Sequence, residues 1–194
     1  MDEKRILEEL IRSRRSVKPA QFGPGKVADE VVEAILESAR WAPTHGMTQP
    51  WRFVVFTGDG IERFTTFREE EYRRKNPGEQ FNQLKFDKMR AASEKCSHII
   101  LIGMKRQESR KLPEWEEVAA VSSALQNMQL CATAYGVACY WSTGAMSTDP
   151  SMLSWLELGP DDLALGMLML GQRGEEVAAP ERHPQENFVR WQRK

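Results

Sequence analysis

Trp41-Ala42-Pro43-Thr44-His45-Gly46-Met47-Thr48-Gln49-Pro50-Trp51 runs without a break into the apolar stretch Phe53-Val54-Val55-Phe56. Proline locks its own φ and pushes the residue before it out of the helical region. Pro43 therefore ends the helix that precedes it, and Pro50 fixes the entrance to a strand. That strand, Arg52 to Thr57, alternates little and ends at Gly58-Asp59-Gly60, the pattern of a strand buried in a sheet. Helix, rigid bend and buried strand in immediate succession point to an α+β fold. The bend also gathers Trp41, His45 and Gln49. An amide held at a rigid corner, as in Gln49, can read the edge of a heterocycle by hydrogen bonds. The ordinary alternative is a structural His45 and core roles for Trp41 and Trp51.

Upstream, Ile6, Leu7, Leu10 and Ile11 share one face of an amphipathic helix from about residue 3 to 14. Arg14-Arg15-Ser16 closes it. Two guanidinium forks and a hydroxyl suit a phosphate; the alternative is a pair of solvated arginines stabilised at a helix C-terminus. A connection rich in proline and glycine follows (Pro19, Gly23, Pro24, Gly25). Asp29 is then expected to cap a second helix carrying Val31, Val32, Ile35, Leu36 and Ala39.

Downstream, Ile61 to about Arg74 and Gln80 to Lys95 read as two charged helices separated by Asn76-Pro77-Gly78. This is the least apolar part of the chain. It fits either a solvated helical excursion packed by Phe64, Phe67, Tyr72, Phe81 and Phe86, or a mobile cover over a pocket. His98 to Met104 is a buried strand. A long helix from about Trp115 to Tyr135 carries small or apolar groups nearly all round, which fits packing between two subunits or burial in one core. Gly136 ends it before the strand Val137 to Trp141. Ser142-Thr143-Gly144 then offers hydroxyls and backbone N–H groups to a ligand, or serves as an ordinary turn. A short helix at Pro150 to Leu156 and a strand at Leu163 to Leu170 complete the pattern. Arg173 and Arg182 add positive charge from the far end. Phe188, Val189 and Trp191 suggest that the polar tail docks onto something. Residues 1–194 thus read as one α+β unit with a helical insertion at about 61–95.

Composition narrows the chemistry. With 194 residues, 41% of them hydrophobic and 28% charged, the chain can bury a globular core. A net charge of −1 gives no electrostatic reason to bind nucleic acid or an anionic membrane. No apolar run approaches the roughly 20 residues of a membrane span, and the charged start is not a signal core, so a cytoplasmic protein is expected. Three widely spaced cysteines without a CxxC pair argue against a disulfide framework or thiolate zinc site. Three histidines without HExxH argue against a metal centre. The P-loop, Rossmann and nucleophile-elbow signatures are missing as well. What remains is a cofactor that performs the chemistry itself, positioned by the protein.

Taken in order, Arg14-Arg15-Ser16, Trp41-Ala42-Pro43-Thr44-His45, Gln49-Pro50-Trp51 with its strand, Trp141-Ser142-Thr143-Gly144 and Leu170-Gly171 resemble the nitroreductase family over nearly the whole chain. Pro113-Glu114-Trp115 resembles its short, minimal YdjA-like branch. The resemblance implies a mainly antiparallel sheet flanked by helices, an intertwined homodimer, and FMN bound at the subunit interface. It also implies a ping-pong oxidoreductase that passes hydride from NADH or NADPH to a small-molecule acceptor such as a nitroaromatic or quinone. An FMN-binding or carrier protein with little turnover is the alternative. By the same resemblance, Arg14 and Ser16 hold the FMN phosphate, and Arg15 meets the polar edge of the ring or the ribityl chain. Trp41, His45 and Gln49 line the ring or arrive from the partner subunit, with His45 shaping the acceptor pocket or donating a proton. Trp141, Ser142, Thr143 and Gly144 lie beside the reactive face, and Arg173 or Arg182 completes the phosphate site. Where minimal members often carry a charged residue at the position of Trp41, this chain has a large ring.

Overall fold

The computed structural model describes residues 2–193. Its elements in chain order are α1 (Glu3–Ser13), β1 (Phe22–Gly23), α2 (Asp29–Ala39), β2 (Trp51–Thr57), α3 (Asp59–Lys75), α4 (Gln83–Glu94), β3 (His98–Met104), α5 (Glu114–Ala134), β4 (Val137–Ser142) and β5 (Leu163–Arg173). Short 3-10 turns fill the connections. The five strands form one antiparallel sheet in which β3 lies between β2 and β5, β4 pairs the other edge of β5, and β1 pairs the end of β5. This is the α+β class read from the sequence.

β3 is buried along its whole length. Alternation along it sends Ile100, Ile102 and Met104 to one face and Ile99 and Leu101 to the other, as the two-residue period of a strand requires. β5 repeats the division, with Leu168 and Leu170 on the first face and Met167 and Met169 on the second. α2 and α5 cover the first face through Val32, Ile35, Ala39, Val121, Ala124, Leu125 and Met128. On the second face, Phe56 of β2 stacks on Phe64 of α3 at 4.1 Å between centroids, and Trp155 packs edge-on against both.

Boundaries differ from the sequence reading mainly at element ends. β5 continues to Arg173, because β4 and β1 supply its last partners: Gln172 pairs Val137 and Gly23, and Arg173 pairs Phe22. The connection around Phe22-Gly23 is accordingly a short strand. Asp29 does not cap α2. Ala28 occupies the cap position, and the Asp29 carboxylate instead pairs with His98 Nε2 at 2.9 Å, while Ser97 Oγ holds Nδ1 at 3.0 Å. A buried imidazole on β3 is a stronger partner for that carboxylate than a free amide at a helix start.

The helical insertion is docked. Arg90 of α4 makes a bidentate bond to Glu69 of α3, at 2.6 and 2.8 Å, and a further bond to Glu62. Tyr72, Phe81 and Phe86 form an aromatic cluster beneath it. α5 buries one face against α2 and the sheet, whereas Trp115, Ala119 and Gln126 stay exposed on the other. The tail residues Phe188 and Trp191 are 73% and 71% exposed, so among the described residues they are not buried against the body of the fold.

Candidate cofactor and substrate site

Two cation-rich depressions lie at either end of the extended segment that leaves α1. The first is a cleft of about 400 Å³ lined by Arg12, Arg14, Arg15 and Arg182, with Gln126 and Pro180 between them. No acidic residue is among its lining, so four guanidinium groups face a space without a compensating carboxylate. Gln129 on α5 anchors Arg14 by accepting from its Nη1 at 3.2 Å. Arg15 curls back over the end of α1, donating from Nη1 to the carbonyls of Arg12 and Arg14 at 2.6 and 3.1 Å. Those are orphan carbonyls of a helix C-terminus, the place where a cation is favoured. Its Nε is buried without a hydrogen-bond partner among the described residues. Arg15 also shares a small cavity with Arg173 and Glu175.

Arg14 and Lys18 have ψ of 127° and 146°, Pro19 begins a 3-10 turn, and between them Val17 N–H donates to the Cys139 carbonyl at 2.9 Å, strapping the segment along β4. Ser16 lies on this strap, exposed. At its far end, Pro19 lines the second depression, a cavity of about 530 Å³. The floor comes from Tyr140 and Ser142 at the end of β4, Gly144 and Met146 in the loop beyond, and Met167 and Met169 of β5. Arg68, Lys85 and Lys88 on α3 and α4 form the wall. Its volume and mixed apolar and polar lining are those of a small-molecule site.

The floor is placed by backbone constraint. Gly166 of β5 has φ +106°, and a side chain there would collide with the Ser142 carbonyl, so only glycine lets the end of β4 lie so close. Trp141 Nε1 donates to the Leu165 carbonyl at 3.0 Å and locks the same corner. Ser142 Oγ meets Ser147 Oγ at 3.2 Å, while Thr143 points away from the cavity lining and is exposed. A Cβ on Gly144 would meet nothing within 4 Å, which leaves its backbone open to a ligand.

The bend that opened the sequence lies elsewhere. His45 Nδ1 is 2.5 Å from Glu116 Oε2, and the imidazole shares a shallow groove with Pro43, Trp115 and Ala119. Trp41 is 80% exposed and donates to Glu37 at 3.3 Å. Gln49 has φ +43°, a left-handed conformation that a non-glycine residue rarely adopts, and its N–H donates to Thr44 Oγ1 at 3.2 Å. Within one chain, Trp41, His45 and Gln49 share neither the arginine cleft nor the Ser142 cavity. Most of the sequence-predicted residues therefore fall into three groups: Arg14, Arg15 and Arg182; Ser142 and Gly144; and the bend. Ser16, Trp141 and Thr143 line neither depression, and Arg173 borders the small cavity beside Arg15. Arg12, Arg68, Lys85 and Lys88 were not singled out from sequence. Arg12 was visible as the next cation toward the N-terminus on α1, but nothing local marks the other three among the many charges of α3 and α4.

The cysteines carry no chemistry here. Burial pushes the Cys96 thiol up to about 12 and Cys139 up to about 11, and it raises Cys131 as well. All three stay protonated near neutral pH.

A profile of the Nitroreductase family matches residues 11–172. YdjA of Escherichia coli (strain K12), provisionally named an NAD(P)H nitroreductase, is 31% identical over 165 residues, which cover 85% of this chain and 86% of that protein. Among solved structures, a nitroreductase-like family protein from Bacillus cereus superposes with a TM-score of 0.79 at 23% identity, covering 97% of this chain and 96% of the other. The FMN-dependent nitroreductase NfnB from Mycobacterium smegmatis, crystallised in complex with NADPH, superposes with a TM-score of 0.76 at 18% identity, covering 99% of this chain and all of that one.

Proposed function

The chain belongs to the nitroreductase family, and from that premise we propose that it is an FMN-dependent oxidoreductase using NADH or NADPH to reduce a small electron-poor acceptor. The observation that carries this reading is the pairing of an acid-free arginine cleft with an apolar-floored cavity, reached from the two ends of one strap. A phosphorylated side chain attached to a flat ring calls for those two environments. Nitroreductases of like fold that hold FMN and NADPH support the cofactor assignment.

FMN, when bound, would supply the two-electron redox chemistry that links NADH or NADPH to a quinone or nitro acceptor in a ping-pong cycle. Arg14 and Ser16, with Arg182 and Arg12, hold the phosphate through charge-assisted bonds. Arg15, folded back onto the end of α1 with its Nε unpartnered, is the residue assigned to the pyrimidine edge or ribityl chain, and Arg173 shares a small cavity with it. A cation fixed at the pyrimidine edge stabilises the negative charge that reduction places there. Ser142 and Gly144 offer a hydroxyl and an open backbone to the reactive side, with Trp141 holding their corner, while Thr143 stays outside the cavity lining.

The second copy of the chain completes the site. α1 buries none of its residues, and Ile6, Leu7 and Ile11 are 46%, 54% and 51% exposed. The open side of α5, the exposed Trp115 and the apolar tail residues add to the same unpartnered surface. A homodimer covers it and brings Trp41, His45 and Gln49 of one protomer to the cofactor of the other, which accounts for their separation from the cavity within one chain.

The absorption spectrum of the purified protein tests the reading. We expect a flavin band, restored by added FMN after stripping, bleached by NAD(P)H and recovered on adding menadione. An Arg14→Gln, Arg15→Gln pair is expected to weaken FMN at least a hundredfold, because two charge-assisted bonds contribute about 1.5–3 kcal/mol each. A colourless protein that takes up no FMN sinks the assignment, and flavin that bleaches but is not reoxidised leaves a carrier. For His45, His45→Ala is expected to lower turnover severalfold and alter its pH profile; an unchanged profile with every acceptor removes it from the site.

A further inference from the structure

Arg68 is an unusual residue to find where it is. It projects from α3 with only 6% of its surface exposed, and its Nε has no hydrogen-bond partner among the described residues. A buried guanidinium is normally paired, since an uncompensated buried charge costs several kcal/mol. The adjacent carboxylate, Glu69, is already engaged by both arms of Arg90. The remaining contact, the face of Phe64 at 5.7 Å, lies near the outer range of a cation–π interaction. Burial lowers the Arg68 pKa to about 10, which still leaves the group cationic at neutral pH.

Arg68 lines the same cavity as Lys85 and Lys88, and no acidic residue lines that cavity. Three cations therefore face a space floored by Met146, Met167 and Met169 with no negative partner of their own. The arginine cleft that suits the FMN phosphate is a separate depression with its own lining, so the phosphate does not account for these charges. A neutral quinone or nitroarene would leave the buried Arg68 uncompensated, while Lys85 and Lys88, exposed to solvent, add to the positive field at the cavity.

We infer that the wall formed by Arg68, Lys85 and Lys88 selects an acceptor carrying a carboxylate or comparable anionic group on an apolar, ring-sized body. This rests on the flavin reading above and names the substrate class within it. The apolar floor takes the body of the acceptor beside the Ser142–Gly144 loop, and the anionic group lies against α3 and α4. The phosphates of NAD(P)H offer the same charge, so the test separates the two.

The probes are 3-(4-nitrophenyl)propanoate and 3-(4-nitrophenyl)propanamide, whose two methylenes insulate the nitro group from the charge. With the holoenzyme, kcat/KM for the carboxylate is expected to exceed that for the amide by about tenfold, the factor equivalent to 1.4 kcal/mol. The ratio should fall as salt screens the attraction. It should approach one in Arg68→Met and in a Lys85→Gln, Lys88→Gln pair; comparing two acceptors within each variant cancels any shared loss of activity. If Arg68→Met does not fold, the lysine pair on the exposed side of α4 carries the same test. Calorimetry with 3-phenylpropanoate against 3-phenylpropanamide gives a binding readout that needs no turnover. A wild-type ratio at or below one, or a ratio that survives in the variants, overturns the proposal. So does slower flavin reduction by NADPH in the lysine pair with the acceptor ratio intact, which would give the cations to the nucleotide. Bleaching by NAD(P)H and reoxidation by menadione are measured first, so that failure of the flavin reading is seen separately.

Discussion

α1 segregates its apolar residues on one face and buries none of them, whereas α3 is charged along its length and buries Phe64, Thr65, Arg68, Glu69 and Tyr72. The usual expectation, amphipathic inside and charged outside, is inverted between the two. Amphipathicity shows that a helix needs a partner but not that the partner is in the same chain. Charge does not forbid burial when the charges pair off, as Glu69 does with Arg90. The consequence for function is direct. The arginine cleft lies at the end of a helix that buries none of its own residues, while the cavity walled by α3 and α4 is formed within one chain.

The sharpest way to break that comparison is to charge the open face of α1. Leu7→Asp is expected to weaken the homodimer by at least an order of magnitude, since burying one leucine is worth about 1.5–3 kcal/mol, and to release FMN with it. Sedimentation and the retained flavin absorbance measure both. A variant that stays dimeric leaves α1 outside the interface, and then the cleft is complete in one chain.

A smaller effect is expected inside α3–α4. Arg90→Ala strands the buried Glu69 carboxylate and should lower the urea midpoint, with the denaturant slope unchanged. Arg74→Ala removes an exposed pair with Glu71 one turn away and should barely move it. Equal midpoints for the two variants would mean that α3 is not held as described. The smallest effect is kinetic. Cys96, with a thiol pushed up to about 12 by burial at the end of α4, should react with a disulfide reagent at pH 7.5 far more slowly than in urea. Fast native labelling would show that α4 opens readily, and the docked insertion would behave as a cover.

Much of the frame was legible from residues alone. β3 was fixed by the run Ile99-Ile100-Leu101-Ile102, and α5 by its length and its break at Gly136, because long apolar runs and glycine stops act locally. Arg14 and Arg15 could be proposed as an anion site because they are neighbours in sequence, and both line one cleft. Asp29 was misassigned because its true partner, His98, is 69 residues away in sequence. The wall of Arg68, Lys85 and Lys88 was invisible because three cations on two polar helices look alike until packing decides which ones border the same cavity.

The sequence by itself determined the α+β class and the family resemblance, since both rest on local patterns: the prolines of the bend, the double arginine, the buried strands. Only the tertiary structure decided which charges share a space. It set Arg182 opposite Arg14, more than 160 residues apart in the chain, parted His45 from Ser142, and turned Arg68 into a cavity wall. A charge acts through distance and burial, and neither is a property of its position in a sequence.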